Sequence, residues 1–166
     1  MKRILFVLVM NNRKIDELDL RILNILQDDG KVSNAEIARK VGKAPSAVLE
    51  RVRKLRRSGI IKGYECIVDH KILGRSLTAF TAIRVEEGVG ATEVGERLAD
   101  LPEVLEVHYT AGRDSYLVKV RVQDTESLQA TLAKFGTIAA VRDTNSTIVL
   151  TTVKESRVIP LPTIDD

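Results

Sequence analysis

The chain has 166 residues, of which 44% are hydrophobic and 30% charged, and its formal net charge is +3. This length allows one domain or two small ones, and the composition is that of an ordinary folded protein. The single cysteine, Cys66, excludes an internal disulfide framework, and His70 and His108 lack the spacing of metal ligands. We expect no metal ion and no cofactor, and the cysteine content fits a reducing cytoplasm.

Positive charge is concentrated in the first part of the chain. Residues 13–63 hold 13 Lys or Arg against 7 Asp or Glu, whereas residues 64–166 hold 11 against 16. A basic N-terminal part joined to an acidic C-terminal part predicts that only the first part approaches phosphate groups.

Residues 4–10 form an apolar run behind Lys2 and Arg3. The run is much too short to span a membrane, and no small-residue cleavage site of a signal peptide follows it. Three interpretations remain open: an added strand, an apolar arm that packs in an oligomer, and an alternative start at Met10. The added strand or packing arm is favoured, and no association with a membrane is expected.

Three helices are predicted in the basic part of the chain. The first runs from about Asp16 to Asp28, because Asp16 suits the N-cap position and the apolar residues that follow have helical spacing. The second begins with a capping box made by Ser33 and Glu36. It ends at Gly42, since glycine readily adopts the left-handed conformation that stops a helix.

The third helix begins at Pro45, whose missing N–H is no loss in the first turn, and ends before Gly59. Its apolar residues follow i, i+4, i+7 spacing and face the core: Val48, Val52 and Leu55. At about 100° per residue, the opposite face is polar and basic. A capped helix, a glycine turn and a basic helix are typical of a helix-turn-helix whose second helix enters the major groove of DNA.

We therefore expect double-stranded DNA to bind this third helix. Phosphate contacts would supply salt-dependent affinity, and base contacts near the start of the helix would supply sequence preference. The alternative is a solvated basic surface, because cations near the end of a helix also interact favourably with its dipole. The predicted DNA-binding residues are Lys43, Pro45, Ser46, Glu50, Arg53, Lys54 and Arg57.

The acidic part of the chain shows strands and helices in the order β-α-β-β-α-β, the split βαβ motif. The predicted strands, rich in β-branched and alternating apolar residues, are Thr78–Val85, Val104–Tyr109, Tyr116–Val122 and about Val141–Val153. The helices are predicted from near Thr92 to Pro102 and from Asp124 or Thr125 to Gly136. Because two helices can cover only one face of the sheet, the open face predicts a dimer.

The predicted fold is α+β, with an N-terminal winged helix-turn-helix joined to a C-terminal ferredoxin-like βαββαβ domain. The helix-turn-helix occupies residues 14–63 and the ferredoxin-like domain residues 78–156. An apolar extension (residues 1–13) precedes them, and a linker strand and loop (residues 64–77) join them. A turn and strand are predicted over Ile60–Val68. The tail, residues 157–166, should lie along the surface because its prolines cannot continue a central strand.

Four stretches, in the correct order, resemble the Lrp/AsnC (leucine-responsive, or feast/famine) regulators, and the resemblance covers roughly residues 14–156. Ile15–Leu23 is similar to the opening helix of the family and Pro45–Leu55 to its recognition helix. Gly59–Tyr64 is similar to the exit from its DNA-binding domain, and Thr110–Val120 to its effector-loop motif. Two positions depart from the family pattern: Ala44 replaces a capping serine, and Ser115 replaces an aspartate.

The resemblance implies a transcriptional regulator whose C-terminal domain binds an amino acid or a related small metabolite. It also implies homodimers that assemble into larger rings, commonly octamers, with effector sites between neighbouring dimers. The effector-binding residues expected from it are Gly112, Arg113, Asp114 and Ser115, with Thr144, Ser146 and Thr147 contributed by a facing subunit.

A zwitterionic amino acid needs acceptors for its ammonium group and donors for its carboxylate. Gly112 exposes backbone N–H groups without a side chain in the way, and Asp114 offers an acceptor. The alternatives are that Asp114 only shapes the hairpin and that the hydroxyls belong to a plain strand surface.

Two other functions are weighed against the effector-modulated regulator. One is an architectural DNA-binding protein, which would show a weak preference between sequences. The other is an enzyme similar to the tetrapyrrole decarboxylases built on the same architecture. Its chemistry would need positioned acid–base groups, for which this chain offers only His70 and His108. The chain is therefore expected not to be an enzyme.

Overall fold

The computed structural model describes the backbone of residues 9–10 and 13–162, and the side chains of residues 15–162. The chain forms two compact units. One contains the described residues up to Ile67 and those from Ser156 onward, and the other contains Val68–Glu155. None of the described helices is long and apolar enough to cross a membrane.

The first unit contains two short strands and three helices. Its elements are β1 (Val9–Met10), β2 (Arg13–Lys14), α1 (Glu17–Asp28), α2 (Asn34–Val41) and α3 (Pro45–Arg57), and the two strands pair antiparallel. The three helices lie where the sequence predicts them. The strand or packing arm expected over residues 4–10 falls outside the described residues, apart from the two residues of β1.

An apolar core joins the three helices of the first unit. It contains the stripe predicted for α3 together with residues of α1 and α2: Ile22, Leu23, Ile37, Ala38, Val41, Val48, Val52 and Leu55. Burial of one such Val, Leu or Ile side chain contributes roughly 1.5–3 kcal/mol. Apolar burial is therefore the main force that holds α3 against the other two helices.

The helix ends confirm some capping predictions and correct one. Gly42 ends α2 with a φ of 68°, as expected. Ser33 Oγ accepts from the Glu36 N–H at 3.2 Å, but the Glu36 carboxylate lies beside two basic side chains of α2 and the box is only half formed. The full capping box is at α1, where Asp16 and Asp19 each accept from the other's N–H at 2.9 and 3.3 Å.

The linker strand predicted near Ile60–Val68 is wrong, because residues 62–69 adopt no regular secondary structure. A strand requires a hydrogen-bonded neighbour, and no described strand pairs with this segment. Its Ile67 is correspondingly 95% exposed. The described residues that follow α3 also form no hairpin wing before residue 77.

The C-terminal tail is attached to the first unit through α1. The side-chain amide of Gln27 donates to the Ile159 carbonyl at 3.1 Å and accepts from the Ile159 N–H at 3.0 Å. Leu161 packs against the helical core, and Arg157 pairs with Glu65. The tail therefore lies along the surface, as its prolines predict, and it is held there by specific contacts to the helical unit.

The second unit is a four-stranded sheet with two helices. Its elements are β3 (Leu77–Val85), α4 (Glu93–Ala99), β4 (Val104–Tyr109), β5 (Tyr116–Val122), α5 (Thr125–Gly136) and β6 (Val141–Ile148). The strand order is β4-β5-β3-β6, and every neighbouring pair is antiparallel. This topology confirms the predicted ferredoxin-like βαββαβ fold.

The two faces of this sheet differ. Alternate residues of β3 and β5 are buried on one face with the apolar side chains of α4 and α5, among them Ile83, Tyr116, Val118, Leu98 and Phe135. On the other face Phe80 and Leu117 are both 37% exposed. Lys119, on that same face, is buried, and its ammonium group pairs with Glu106 and Glu155.

The last strand is shorter than predicted. It was expected to reach Val153, but β6 ends at Ile148, followed by one further bond from the Val149 N–H to the Thr78 carbonyl at 2.9 Å. The partner strand β3 begins at Leu77, so no ladder remains for the residues beyond. Helix α5 ends at Gly136, as predicted, and Thr137 is its C-cap.

Candidate nucleic-acid interface and effector region

Helix α3 separates its side chains by face. The stripe of Val48, Val52 and Leu55 is buried, with exposures of 0, 8 and 1%. All seven predicted DNA-binding residues are exposed: Lys43, Pro45, Ser46, Glu50, Arg53, Lys54 and Arg57. The structure thus places the complete predicted set on or just before α3, on the side away from the core.

The start of α3 has the backbone of a cap without a capping side chain. Ala44 is extended, with φ −68° and ψ 143°, and provides no hydrogen bond to the first turn. Pro45 has no N–H and the Ala47 N–H bonds to the Ala44 carbonyl at 3.1 Å, so among the N–H groups of this turn the one of Ser46 is open to water or to an anion. A helix N-terminus that approaches DNA can use such N–H groups on phosphate oxygens.

Arg53 and Glu50 form an ion pair on the exposed face, with Nη1 and Oε1 2.9 Å apart. Both side chains are more than half exposed, so the pair adds little to stability. Both are also able to contact base edges, since arginine can bind guanine and a carboxylate can accept from cytosine. The pair is therefore easily exchanged for contacts to DNA.

Arg51, two residues earlier in α3, has a different environment. Its Nη1 donates to Asp16 Oδ2 and, at 3.0 Å, to Asp19 Oδ1. Asp19 is only 1% exposed. Partial burial would raise the pKa of Asp16, but the Arg51 hydrogen bond and the Asp19 N–H outweigh it and keep this pKa below its ordinary value. This cluster was not predicted from the sequence, although the Asp-x-x-Asp spacing at the start of α1 was a usable signal.

The predicted effector loop connects β4 to β5. The Thr110 N–H donates to the Ser115 carbonyl at 2.9 Å, and Thr110 Oγ1 donates to the Asp114 carbonyl at 2.6 Å. Gly112 and Arg113 are exposed, whereas Asp114 and Ser115 are half-buried. A Cβ added to Gly112 would meet nothing within 4 Å, so the backbone there is accessible.

The predicted effector residues of β6 lie at the opposite edge of the sheet from β4. Thr144 pairs with Ile83 and Ser146 with Thr81 on β3, and Ser146 Oγ lies 2.9 Å from Thr81 Oγ1. Strands β5 and β3 separate β6 from β4. At about 4.8 Å between strands, β6 and β4 are about 14 Å apart. One chain therefore does not bring the two groups of predicted effector residues together.

A tyrosine at the end of the loop was not singled out by sequence analysis. Tyr116 Oη donates to Glu87 Oε2 at 3.0 Å and to the Ala91 carbonyl at 3.3 Å. Burial and the hydrogen bond with Glu87 raise the pKa of this tyrosine. A Cβ added to Gly95 would lie 2.6 Å from the Tyr116 ring. The lack of a side chain at Gly95 therefore lets this ring pack against α4.

Two further features of the second unit do not involve the predicted effector residues. A shallow depression lies where β3 ends and β6 begins, lined by Arg84, Val85, Glu86 and Arg142. Among the described residues, no three His, Cys, Asp or Glu side chains are grouped as metal ligands would be.

Comparison with known proteins decides the family. Residues 15–62 match a model of winged helix-turn-helix DNA-binding domains, and residues 78–159 match the Lrp/AsnC ligand binding domain. The HTH-type transcriptional regulator FL11 of Pyrococcus horikoshii is 42% identical over 147 residues, covering 89% of this chain and 97% of that protein. The chain belongs to the Lrp/AsnC family of transcriptional regulators.

Other Lrp/AsnC proteins match over nearly the same length. The leucine-responsive regulatory protein of Escherichia coli is 35% identical over 156 residues, covering 91% of this chain and 94% of that protein. The structure of E. coli AsnC has a TM-score of 0.80 at 32% identity, covering 88% of this chain and 99% of that chain. A regulator of Neisseria meningitidis in complex with L-Met has a TM-score of 0.79 at 25% identity, covering 88% and 96%.

These comparisons establish the general function. The curated relatives are transcriptional regulators, and both domains of an Lrp/AsnC protein are present in this chain. The chain is therefore a DNA-binding transcriptional regulator and not an enzyme.

Proposed function

We propose that this regulator reads double-stranded DNA through the exposed face of α3 and that an amino acid or related metabolite modulates its DNA affinity or assembly. The observation that carries the DNA part is the division of α3 into a buried stripe and an exposed polar face. We assign DNA contacts to Lys43, Pro45, Ser46, Glu50, Arg53, Lys54 and Arg57. A regulator of transcription works where the DNA is, which for this protein we take to be the cytoplasm.

The residues of α3 divide the work of DNA binding by position. Ser46 and Glu50, in the first half of the helix, approach base edges when the N-terminus of α3 enters the major groove. Lys54 and Arg57, near its C-terminus, reach phosphates and supply affinity that falls with salt. Arg53 lies between these groups and is the residue best placed for a bidentate contact to guanine.

For the effector we propose a zwitterionic amino acid bound at the loop between β4 and β5. Asp114 would accept from the ammonium group, and the backbone N–H groups around Gly112 would donate to the carboxylate. Arg113 and Ser115 complete the loop side. The complex of the similar Neisseria regulator with L-Met supports this ligand class. Thr144 and Ser146 would join the site from a facing subunit, because in one chain they lie across the sheet from the loop.

Assembly follows from the same geometry. The face of the sheet that carries Phe80 and Leu117 is open in the single chain. We propose that two chains pack through it to form a homodimer, and that dimers associate further, as in an octamer. An effector that bridges subunits then changes the assembly by binding two association states with different affinity.

The test is a titration of the purified protein against its own upstream DNA and a scrambled duplex of equal length, at two salt concentrations. We expect tighter binding to its own DNA, weakened by salt. Parallel light scattering with each of the twenty amino acids should show one or a few that shift the mass. If no amino acid changes the melting temperature, the assembly or the DNA affinity, the effector proposal is wrong.

An architectural DNA-binding protein is the second candidate, because the basic face of α3 alone would support binding to any duplex. It predicts a small affinity ratio between specific and scrambled DNA, whereas a specific regulator has a ratio of about 10³ or more. Equal binding to both duplexes in this titration and to duplexes from the rest of the genome would favour it.

A further inference from the structure

Helix α3 carries two arginines whose environments separate their roles. Among the residues whose side chains are described, Arg53 pairs only with the exposed Glu50, so it is available to DNA. Arg51, two residues earlier, is turned toward α1 and bonds two carboxylates with a single guanidinium nitrogen. Only a third of the Arg51 side chain is exposed. The two residues therefore do not form one basic surface.

The carboxylates that hold Arg51 are themselves fixed. Asp16 and Asp19 form the capping box of α1, in which each uses one oxygen on the other's backbone N–H. The remaining oxygen of each accepts from Arg51. The start of α1 is thus a rigid acceptor for one specific side chain in the middle of α3.

We propose that Arg51, Asp16 and Asp19 form a positioning cluster that fixes the orientation of the recognition helix and so determines how well this regulator distinguishes DNA sequences. The inference rests on the proposed DNA-binding face of α3. Arg51 is a positioning residue in it and makes no contact to DNA.

The physical reason lies in the difference between apolar and ionic contacts. Val48, Val52 and Leu55 hold α3 by burial, which is non-directional and tolerates small rotations or shifts of the helix. The two N–H bonds of Arg51 Nη1 lie in the guanidinium plane, so they restrict where the two carboxylates can lie. Contacts to base edges need side chains held to within about 0.5 Å, whereas flexible Lys and Arg contacts to phosphates do not.

Burial of Asp19 explains why Arg51 stays in the cluster. An aspartate that is 1% exposed needs an ionic partner, because a buried charge left alone is strongly unfavourable. Moving Arg51 to a phosphate would leave the Asp19 carboxylate without its guanidinium. The cluster is therefore expected to persist in the DNA complex.

The test uses the full-length protein with Arg51→Lys, Asp19→Asn and Asp16→Asn, and Arg56→Lys as the matched control on the exposed side of α3. Affinity is measured for a duplex selected by the wild-type protein from a random pool and for a scrambled duplex, at several salt concentrations and well below each melting temperature. Asp16→Asn is the mildest variant, because asparagine caps a helix as well as aspartate and Asp16 is half exposed. It keeps the test valid if the other two variants do not fold.

We expect the cluster variants to lower the ratio of specific to non-specific affinity about tenfold, the loss typical of one base contact. The non-specific affinity and the salt slope should stay at the wild-type value, and Arg56→Lys should change neither. A lower melting temperature with an unchanged ratio would mean that the cluster only stabilises the fold. A salt slope reduced by about one in Arg51→Gln, a further variant that removes the positive charge, would mean that Arg51 contacts a phosphate. Either result overturns the proposal.

Failure of the proposed function would look different. In that case the wild-type protein itself would select no duplex from the pool, and its own affinity ratio would be close to one. The positioning proposal fails by itself if the wild-type protein discriminates and either the cluster variants discriminate equally well or removal of the Arg51 charge reduces the salt slope.

Discussion

Helix α3, the proposed recognition helix, and the effector loop, which is the loop between β4 and β5 proposed to bind the effector, are built in different ways. All seven residues predicted for DNA lie on the exposed side of α3 or just before it. The residues predicted for the effector divide between the loop after β4 and strand β6, which are at opposite edges of the sheet. The residues proposed for DNA come from one helix and the turn before it, whereas the proposed effector site needs a second chain if both groups of residues belong to it.

The difference has a physical origin in the range of the interactions. On a helix, residues three or four apart share a face whatever the rest of the protein does. A site made from a loop and an edge strand depends on strand order and on subunit packing. Substitutions that act on one region and not on the other therefore test this difference.

The largest effect is expected in the core of the sheet unit. Phe135 is fully buried between α5 and the sheet, so Phe135→Ala should lower the free energy of unfolding by about 3–5 kcal/mol. Phe80→Ala, on the open face, should cost much less stability and should instead weaken dimer formation. Denaturant unfolding and light scattering measure the two effects. Equal loss of stability in both variants would contradict the difference between the two sheet faces.

Most of the fold was predictable from the sequence for local reasons. The helices α1, α2 and α3 follow from caps, Gly42 and Pro45, and the order β-α-β-β-α-β from alternating apolar residues. The predicted linker strand near Ile67 was wrong because its residues have high strand propensity, but no strand among the described residues pairs with them. The end of β6 was misplaced because its length depends on where its neighbour β3 begins.

The candidate sites were predictable to different degrees for the same reason. The exposed face of α3 could be derived from a repeat of 3.6 residues. The ionic cluster of Arg51 could not be derived in this way. It joins Arg51 to Asp19 and Asp16, which lie 32 and 35 positions earlier in the chain, through the packing of α1 on α3. The hydrogen bond between Tyr116 and Glu87 spans 29 positions and was missed likewise.

Two arginine substitutions, one in α3 and one in the effector loop, should differ in their effect on DNA binding. Arg53→Ala should weaken specific DNA binding by about 1–3 kcal/mol and leave the fold intact. Arg113→Ala, in the effector loop, removes the same charge but should leave DNA affinity unchanged when no effector is present. Fluorescence anisotropy with the selected duplex measures both. Unchanged affinity in Arg53→Ala would show that the exposed face of α3 is assigned wrongly.

A smaller effect is expected from Tyr116→Phe, which removes one hydroxyl at the end of the effector loop. Loss of its hydrogen bonds leaves Glu87 Oε2 and the Ala91 carbonyl without this donor and should cost about 1–2 kcal/mol of stability. Tyr109→Phe is the matched control, because Tyr109 is half exposed and its hydroxyl makes only a long bond of 3.4 Å with the Gly90 N–H. A similar loss in both variants would mean that the Tyr116 hydroxyl has no special role.

The smallest effect concerns the missing cap of α3. Ala44 already has the extended backbone of an N-cap, so Ala44→Ser adds an acceptor for the first turn without strain. The DNA-binding unit should gain about 1 kcal/mol, measured by denaturant unfolding. Ala47→Ser is the control, since a hydroxyl inside the first turn cannot take the N-cap position.

The same variant separates stability from recognition. If the open Ser46 N–H binds a phosphate, the new hydroxyl competes for it, and DNA affinity should fall although the protein is more stable. If α3 approaches DNA only through its side chains, affinity should stay the same or rise. A local change at one helix end thus reports whether the backbone of α3 takes part in binding, which no pattern of side chains in the sequence can show.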